Sequence, residues 1–209
     1  MRAAVDAYED GGIRGLCAEG RWELAVEAMR RIDPSEHAHR ALPVRRLGPG
    51  DAARWLELRL RALREEPRAF LRSEEEDARR GVDVVAERLA QPSDEAFVLG
   101  AEIGGVLAGT VGVVRADASK ARHRAILWGF YVAPEHRRAG LGRALLRGAI
   151  RQARAMPGVE LLALSVDTRN DAAKALYRAE GFITWGVEPD GFRAAGERVD
   201  EEHMLLRLE

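Results

Sequence analysis

The octapeptide AILWGFYV, Ala125–Val132, limits what this chain can fold into more than any other stretch. It carries no charge and is apolar on both faces of a pleated strand. Strict alternation sets Ile126, Trp128, Phe130 and Val132 on one face and Leu127 and Tyr131 on the other. A strand with one wet face alternates apolar with polar residues, so this segment is expected inside a sheet covered on both sides. With 209 residues, 46% of them hydrophobic, the chain can bury such a sheet as one domain with an appendage rather than as two domains.

The flanking segments supply the rest of that sheet. AFVLGAEI and VLAGTVGVV flank Gly104-Gly105, a dipeptide suited to the positive-φ positions of a tight hairpin. Upstream, Leu42–Leu47 reads as a short strand. Ala52–Glu65 reads as a helix with Trp55, Leu58 and either Leu60 or Ala62 on its apolar side, closed by Pro67, and Ser73–Ala90 as one charged helix. Downstream come a helix from Leu141 to about Met156, a strand VELLALSV, and a helix from about Asn170 to Glu180 with Gly181 just past its end. The chain closes with a strand FITWGV, a loop containing Pro and Gly, and a strand HMLLRL. Strand–helix–strand–helix order implies a parallel crossover within a mixed sheet, an α/β (α+β) fold. Residues 1–40 read as a helical extension and linker, two short helices broken at Gly11-Gly12 and stopped by Asp33-Pro34, ahead of a domain spanning 41–209. Trp22, Ala25, Val26 and Met29 form an apolar stripe on the second of these helices.

Immediately after the doubly apolar strand the sequence runs VAPEHRRAGLGR. A strand that enters a glycine-rich turn and then a helix outlines an anion site, because the first turn of a helix presents free N–H groups and the positive end of its dipole. Gly140 and Gly142 let an anion approach those amides, and Arg137, Arg138 and Arg143 add charge. The spacing matches neither G-x-x-x-x-G-K-[ST] nor G-x-G-x-x-G. A glycine-softened turn into an ordinary amphipathic helix accounts for the same residues.

The segment FYVAPEHRRAGLGRALL resembles the cofactor segment of the GNAT acetyltransferases, with Arg137-x-x-Gly140-x-Gly142 standing for [RQ]-x-x-G-x-[GA]. NDAAKALYRAEGF resembles the family's second element in full, through Asn170, Ala173, Leu176, Tyr177, Gly181 and Phe182. The resemblance implies a central mixed, mostly antiparallel sheet flanked by helices, with acetyl-CoA as co-substrate and no metal. It implies that the backbone of Phe130, Tyr131 and Val132 pairs with the pantetheine arm. It implies too that the segment Arg137, Arg138, Ala139, Gly140, Leu141, Gly142 and Arg143 holds the pyrophosphate, that Asn170 contacts the pantetheine, and that Tyr177 sits near the thiol. Residues 1–40 lie outside the resemblance.

Asn170, Ala173 and Tyr177 are three and four residues apart and share one helical face. Ala173 is small where a long ligand must pass, and a phenol one turn beyond can donate a proton to a departing thiolate as general acid. An amine nucleophile with pKa near ~10 must first lose a proton. The central strand offers no carboxylate for that, which leaves Glu135, Asp167, His123, Glu188, Asp190, His203 or a water chain as the base. The expected activity is therefore N-acetylation of a primary amine, on a small molecule or a protein. An acyl-CoA-binding module without turnover is the alternative, and a site for another phosphorylated nucleotide is a third account.

Composition narrows the partners. Net charge is −1 and the pI near 6.6, which gives no reason to expect nucleic-acid binding. The single cysteine, Cys17, forms no intrachain disulfide and is expected to be a small packing residue. No apolar run approaches the ~18–20 residues that span a bilayer, and Asp6, Glu9 and Asp10 interrupt the place of a signal peptide's apolar core. A cytoplasmic protein with no membrane partner is expected. Histidines show no metal spacing beyond the weak pair His37-x-His39. Arg143, Arg147, Arg151 and Arg154 form a stripe expected to be solvated, opposite an apolar face of Leu141, Leu145, Ala149 and Ala153. Glu188, Asp190, Asp200, Glu201 and Glu202 crowd a C-terminal loop where they could attract a cationic amine. For residues 1–40 the sequence leaves packing on the main domain and a homodimer contact equally open.

Overall fold

The computed structural model describes residues 8–10, 13, 16–30, 44–91 and 94–208. The chain divides into two compact units, Met1–Ala41 and Leu42–Glu209. The first contains helix α1 (Ala18–Arg30), where Arg21 donates to the Tyr8 carbonyl at 3.1 Å and lies over the Tyr8 ring. Of its expected stripe, Ala25 is buried but Trp22 is exposed, and Cys17 is exposed just ahead of the helix instead of packed. Gly11-Gly12, the linker and the His37-x-His39 pair lie outside the described residues.

The second unit is a seven-stranded sheet in the order β1-β2-β3-β4-β5-β7-β6. Its elements are β1 (Val44–Arg46), α2 (Ala52–Glu65), α3 (Glu74–Ala78), α4 (Gly81–Leu89), β2 (Ala96–Ile103), β3 (Val106–Arg115), β4 (Arg124–Val132), α5 (Leu141–Arg154), β5 (Leu161–Asp167), α6 (Asp171–Ala179), β6 (Ile183–Ala194) and β7 (Glu197–Arg207). Every neighbouring pair is antiparallel except β4 with β5, the crossover expected from the sequence. Gly104 and Gly105 both take positive φ in the β2–β3 turn, as their dipeptide predicts. One core lies between the sheet and α5 and takes in Leu141, Leu145, Ala149 and Ala153, all fully or nearly fully buried. A second core lies between the opposite face and α2 and α4, where Ala62 rather than Leu60 completes the stripe of Trp55 and Leu58.

Three expectations need correction. The single helix over Ser73–Ala90 is two helices, because Gly81 adopts φ +74° and ends the first run. The C-terminal loop is instead a long β6–β7 hairpin turning at Ala195-Gly196, both at positive φ. Pro189 is tolerated there because β6 is the edge strand, and the register slips between Glu188 and Phe192 absorb it.

The third correction positions the site. The faces of β4 do not alternate strictly. Between Thr110↔Tyr131 and Gly112↔Trp128, β4 carries one more residue than β3, and Gly129 at φ +62° absorbs it as a bulge. Parity therefore flips. Ala125 and Leu127 face α5, Trp128 faces α2, and beyond the bulge Phe130 and Val132 face α5 while Tyr131 returns to the α2 side. Pairing of β4 with β5 stops at Ile126↔Ala163, so the two strands part where the bulge begins.

Candidate functional site

Two clefts open at this parting and share Ala69 and Phe70 of the 3-10 turn after α2. The first encloses about 680 Å³ between the separated ends of β4 and β5. Phe130, Tyr131 and Val132 of β4 line it, as do Arg137, Arg138 and Gly142 of the following turn and Asn170 and Ala173 of α6. The sequence predicted all of these. Ala139, Gly140, Leu141 and Arg143 belong to the same turn without lining the cleft.

The turn is built to present its amides. Arg138 and Gly140 take φ +63° and +81°, and Gly140 is the residue from which α5 starts. Among the described residues no backbone carbonyl engages the N–H groups of residues 138–143, and the first α5 bond runs from the Ala144 amide to the Gly140 carbonyl at 3.0 Å. A Cβ on Gly142 would meet Leu176, Phe130 and Val132 at 3.6–3.8 Å, ordinary contact, so the protein's own packing does not demand glycine there. Arg137 folds back, donating to the Val132 carbonyl and pairing with Glu66, both at 2.9 Å. Arg143 leans toward Glu180 at 3.5 Å, beside Arg147 at 2.9 Å, so neither points along the cleft.

Asn170 caps α6, its Oδ1 accepting from the Ala173 amide at 3.1 Å. Tyr177 stands one layer behind the lining. It is 5% exposed, with ring centroids 5.9 Å from Phe130 and 5.7 Å from Phe182, and burial raises its phenol above the ordinary tyrosine range.

The second cleft, about 330 Å³, lies on the α2 side of the bulge. Sequence reasoning named Glu201 among the acidic C-terminal residues but missed Arg59, Asp77 and Arg88. Arg59 lies on the buried stripe of α2, four residues after Trp55, and its Nε donates to Asp77 at 2.8 Å. Arg88 lies 3.9 Å over the Trp128 ring. Glu201 faces them from β7 and accepts from the Ser165 hydroxyl at 2.6 Å. A lone arginine within an apolar helical stripe was the signal available for Arg59.

The expected bases are placed unevenly. Glu135 is held down to about 2 chiefly by its bonds from Arg61. Both oxygens of Asp167 are engaged, by Arg68 and by the Arg169 amide. His123 precedes β4 at the end away from the clefts. Glu188 pairs with His203 at 2.9 Å, Asp190 with Arg193 and Arg198, and Glu202 with Arg178. Asp200 accepts from the Asp190 amide. Of the acidic C-terminal group, Glu201 is the one that lines the second cleft.

Among the described residues no group of three or more His, Cys, Asp or Glu is placed to hold a metal ion, and no helix is long and apolar enough to cross a membrane.

The acetyltransferase (GNAT) family model matches residues 55–182. No curated protein matches the sequence. An acetyltransferase of the GNAT family from Streptococcus pneumoniae is similar at 26% identity and TM-score 0.67, covering 80% of this chain and 99% of that one. A putative acetyltransferase from Salmonella typhimurium, solved with its cofactor acetyl-CoA, is similar at 25% identity and TM-score 0.68, over 80% and 94% of the two chains. A ribosomal-protein-alanine N-acetyltransferase from Brucella melitensis is similar at 26% identity and TM-score 0.66, over 80% and 100%.

Proposed function

Because this chain belongs to the GNAT acetyltransferase family, an acyltransferase family that uses acetyl-CoA, we propose that it acetylates the primary amine of an acceptor held in the second cleft. The observation that carries this reading is the junction of two clefts at the β4 bulge, one lined by Arg137, Arg138 and Gly142 of the turn and the other by arginines and the carboxylates of Asp77 and Glu201.

The first cleft fits acetyl-CoA. Free amides of residues 138–143 suit the pyrophosphate, and the edge of β4 left by β5 suits an extended amide-bearing arm. When bound, acetyl-CoA supplies an activated thioester. The chain's own groups then orient and move protons. Glu201 takes the proton of the attacking amine, with Ser165 fixing one of its oxygens. Tyr177 holds a hydrogen bond for the departing sulfur. Arg68, clamped on Asp167, ties the turn after α2 to the end of β5 and so fixes the mouth shared by the clefts.

Thiol release from acetyl-CoA, followed over a panel of amines, tests the reading. Wild type is expected to turn over at least one amine, and Glu201→Gln to lose about 10²-fold in kcat/KM. Binding of acetyl-CoA with no thiol release from any amine would overturn it in favour of a non-catalytic acyl-CoA module.

Gly142→Ala separates ligand from fold. The added Cβ meets only ordinary contacts and lies in the first turn of a helix, so stability is expected to hold or rise by up to about 1 kcal/mol. Acetyl-CoA affinity is expected to fall about tenfold, since the methyl occupies the wall along which the ligand lies. Thermal unfolding and calorimetric titration check the two halves.

A further inference from the structure

We propose that the acceptor is a zwitterion of the amino-acid class, its carboxylate held by Arg59 and Arg88 and its amine directed to Glu201. The inference rests on acetyl transfer taking place in the second cleft.

The two walls of that cleft have opposite character. Helices α2 to α4, with the segment joining α2 to α3, bring Arg59, Arg72, Arg80 and Arg88 to one side. The carboxylates lining it are Asp77 and Glu201, so cations outnumber anions. Asp77 is committed through one oxygen, which takes the Arg59 Nε at 2.8 Å; the other lies 3.8 Å from Arg80 and is buried without a hydrogen-bond partner among the described residues. Glu201 sits on the far wall with Ser165.

Two arginines of the cationic wall keep donor capacity that Asp77 does not use. Arg59 is 6% exposed, yet its Nη1 is buried with no hydrogen-bond partner among the described residues. That atom lies 4.0 Å from the place of a Cβ on Gly129, which puts it at the bulge where the clefts meet. The Trp128 Nε1 is also buried without a partner among the described residues, but it lies against Gly112 of β3, 2.6 Å from the place of a Cβ there, and so belongs to the sheet packing. Arg88, stacked on the same indole, forms no ion pair among the described residues. Its pKa is pushed down by burial and then by the neighbouring Arg80, in keeping with a guanidinium that lacks a counter-ion.

A structural ion pair would require Arg59 and Asp77 alone. It does not account for Arg88. An oxyanion bound in the cleft would give both guanidinium groups the acceptor they lack, as buried polar groups require. The remaining charge, Glu201, then faces the amine end of the same small molecule. A cleft of about 330 Å³ suits an acceptor of that size.

The test pairs each amino acid with its carboxamide and with the amine lacking the carboxyl group. Turnover is read by thiol release, and binding by quenching of tryptophan fluorescence with CoA present. Acids are expected to exceed their partners in kcat/KM by about a hundredfold, through a polar site left unpaired by the analogues. Arg88→Gln is expected to shrink that ratio about tenfold by raising KM for the acids, with acetyl-CoA affinity serving as the control for folding. Turnover of carboxamides and simple amines as fast as of acids would overturn the inference while leaving the acetyltransferase intact. Tight, carboxylate-dependent binding without turnover would support the anion site and overturn the proposed reaction instead. Absence of any binding preference for acids would overturn the inference whatever the turnover.

Discussion

Tyr177→Phe is expected to lower kcat about 10- to 100-fold, the worth of one hydrogen bond to a charged group, with little change in acetyl-CoA affinity. The size follows from where the phenol sits. Its ring fills the layer between Phe130 and Phe182, contacts that phenylalanine keeps, so folding and the cofactor wall survive the substitution. Burial raises its pKa above the ordinary range, so the hydroxyl keeps its proton across the pH range in which an amine becomes nucleophilic. Full transfer to a sulfur of lower pKa would run uphill, and the group acts as a hydrogen-bond donor more than as an acid. Two consequences follow. The loss appears in kcat, since the developing thiolate exists only late in the reaction, and the alkaline limb of the pH profile is the same in wild type and variant. A variant with unchanged kcat, or one whose alkaline limb moves, would remove Tyr177 from the chemistry.

Much of this site was written locally in the chain. Gly140 and Gly142 before a helix, and Asn170, Ala173 and Tyr177 on one helical face, are spacings that local geometry converts directly into positions. The doubly apolar strand correctly announced a central position, but its faces were misassigned, because a bulge is a property of two strands in register. Gly129 was present in the sequence, yet only the pairing of Thr110 and Gly112 on β3 shows that an extra residue must be absorbed there. The second cleft was legible only in Glu201, for the same reason. Arg59, Asp77, Arg88 and Glu201 come from four separate elements, and no spacing along the chain records that they meet. The acidic C-terminal residues suggested attraction of a cation, whereas all but Glu201 are engaged away from the cleft and the opposite wall is cationic. Gly81 and Pro189 show the converse, where a local breaker was read too weakly in one helix and too strongly in an edge strand.

Asp77→Ala is expected to destabilise the domain by about 3–5 kcal/mol, a loss visible as a lowered midpoint of thermal or urea unfolding. The pair it breaks is closed to water on both sides, with side-chain exposures of 7% for Arg59 and 8% for Asp77. Removing the carboxylate leaves a guanidinium that burial already disfavours, with Arg72 and Arg80 pressing on it as like charges. The aromatic face of Phe70, 4.4 Å from the Arg59 carbon, compensates only in part. If the pair is kept for its charge and not for stability, replacing both partners with apolar residues is nearly neutral, and Arg59→Met with Asp77→Leu is expected to recover most of what Asp77→Ala loses. That double variant then isolates the use to which the charge is put. It keeps the packing between α2 and α3 but has no Nη1 at the bulge, so its preference for carboxylate-bearing acceptors should collapse while the fold stands. A double variant as unstable as Asp77→Ala would make the pair an element of the core. One that is stable and still selects acids would move anion recognition onto Arg88 alone.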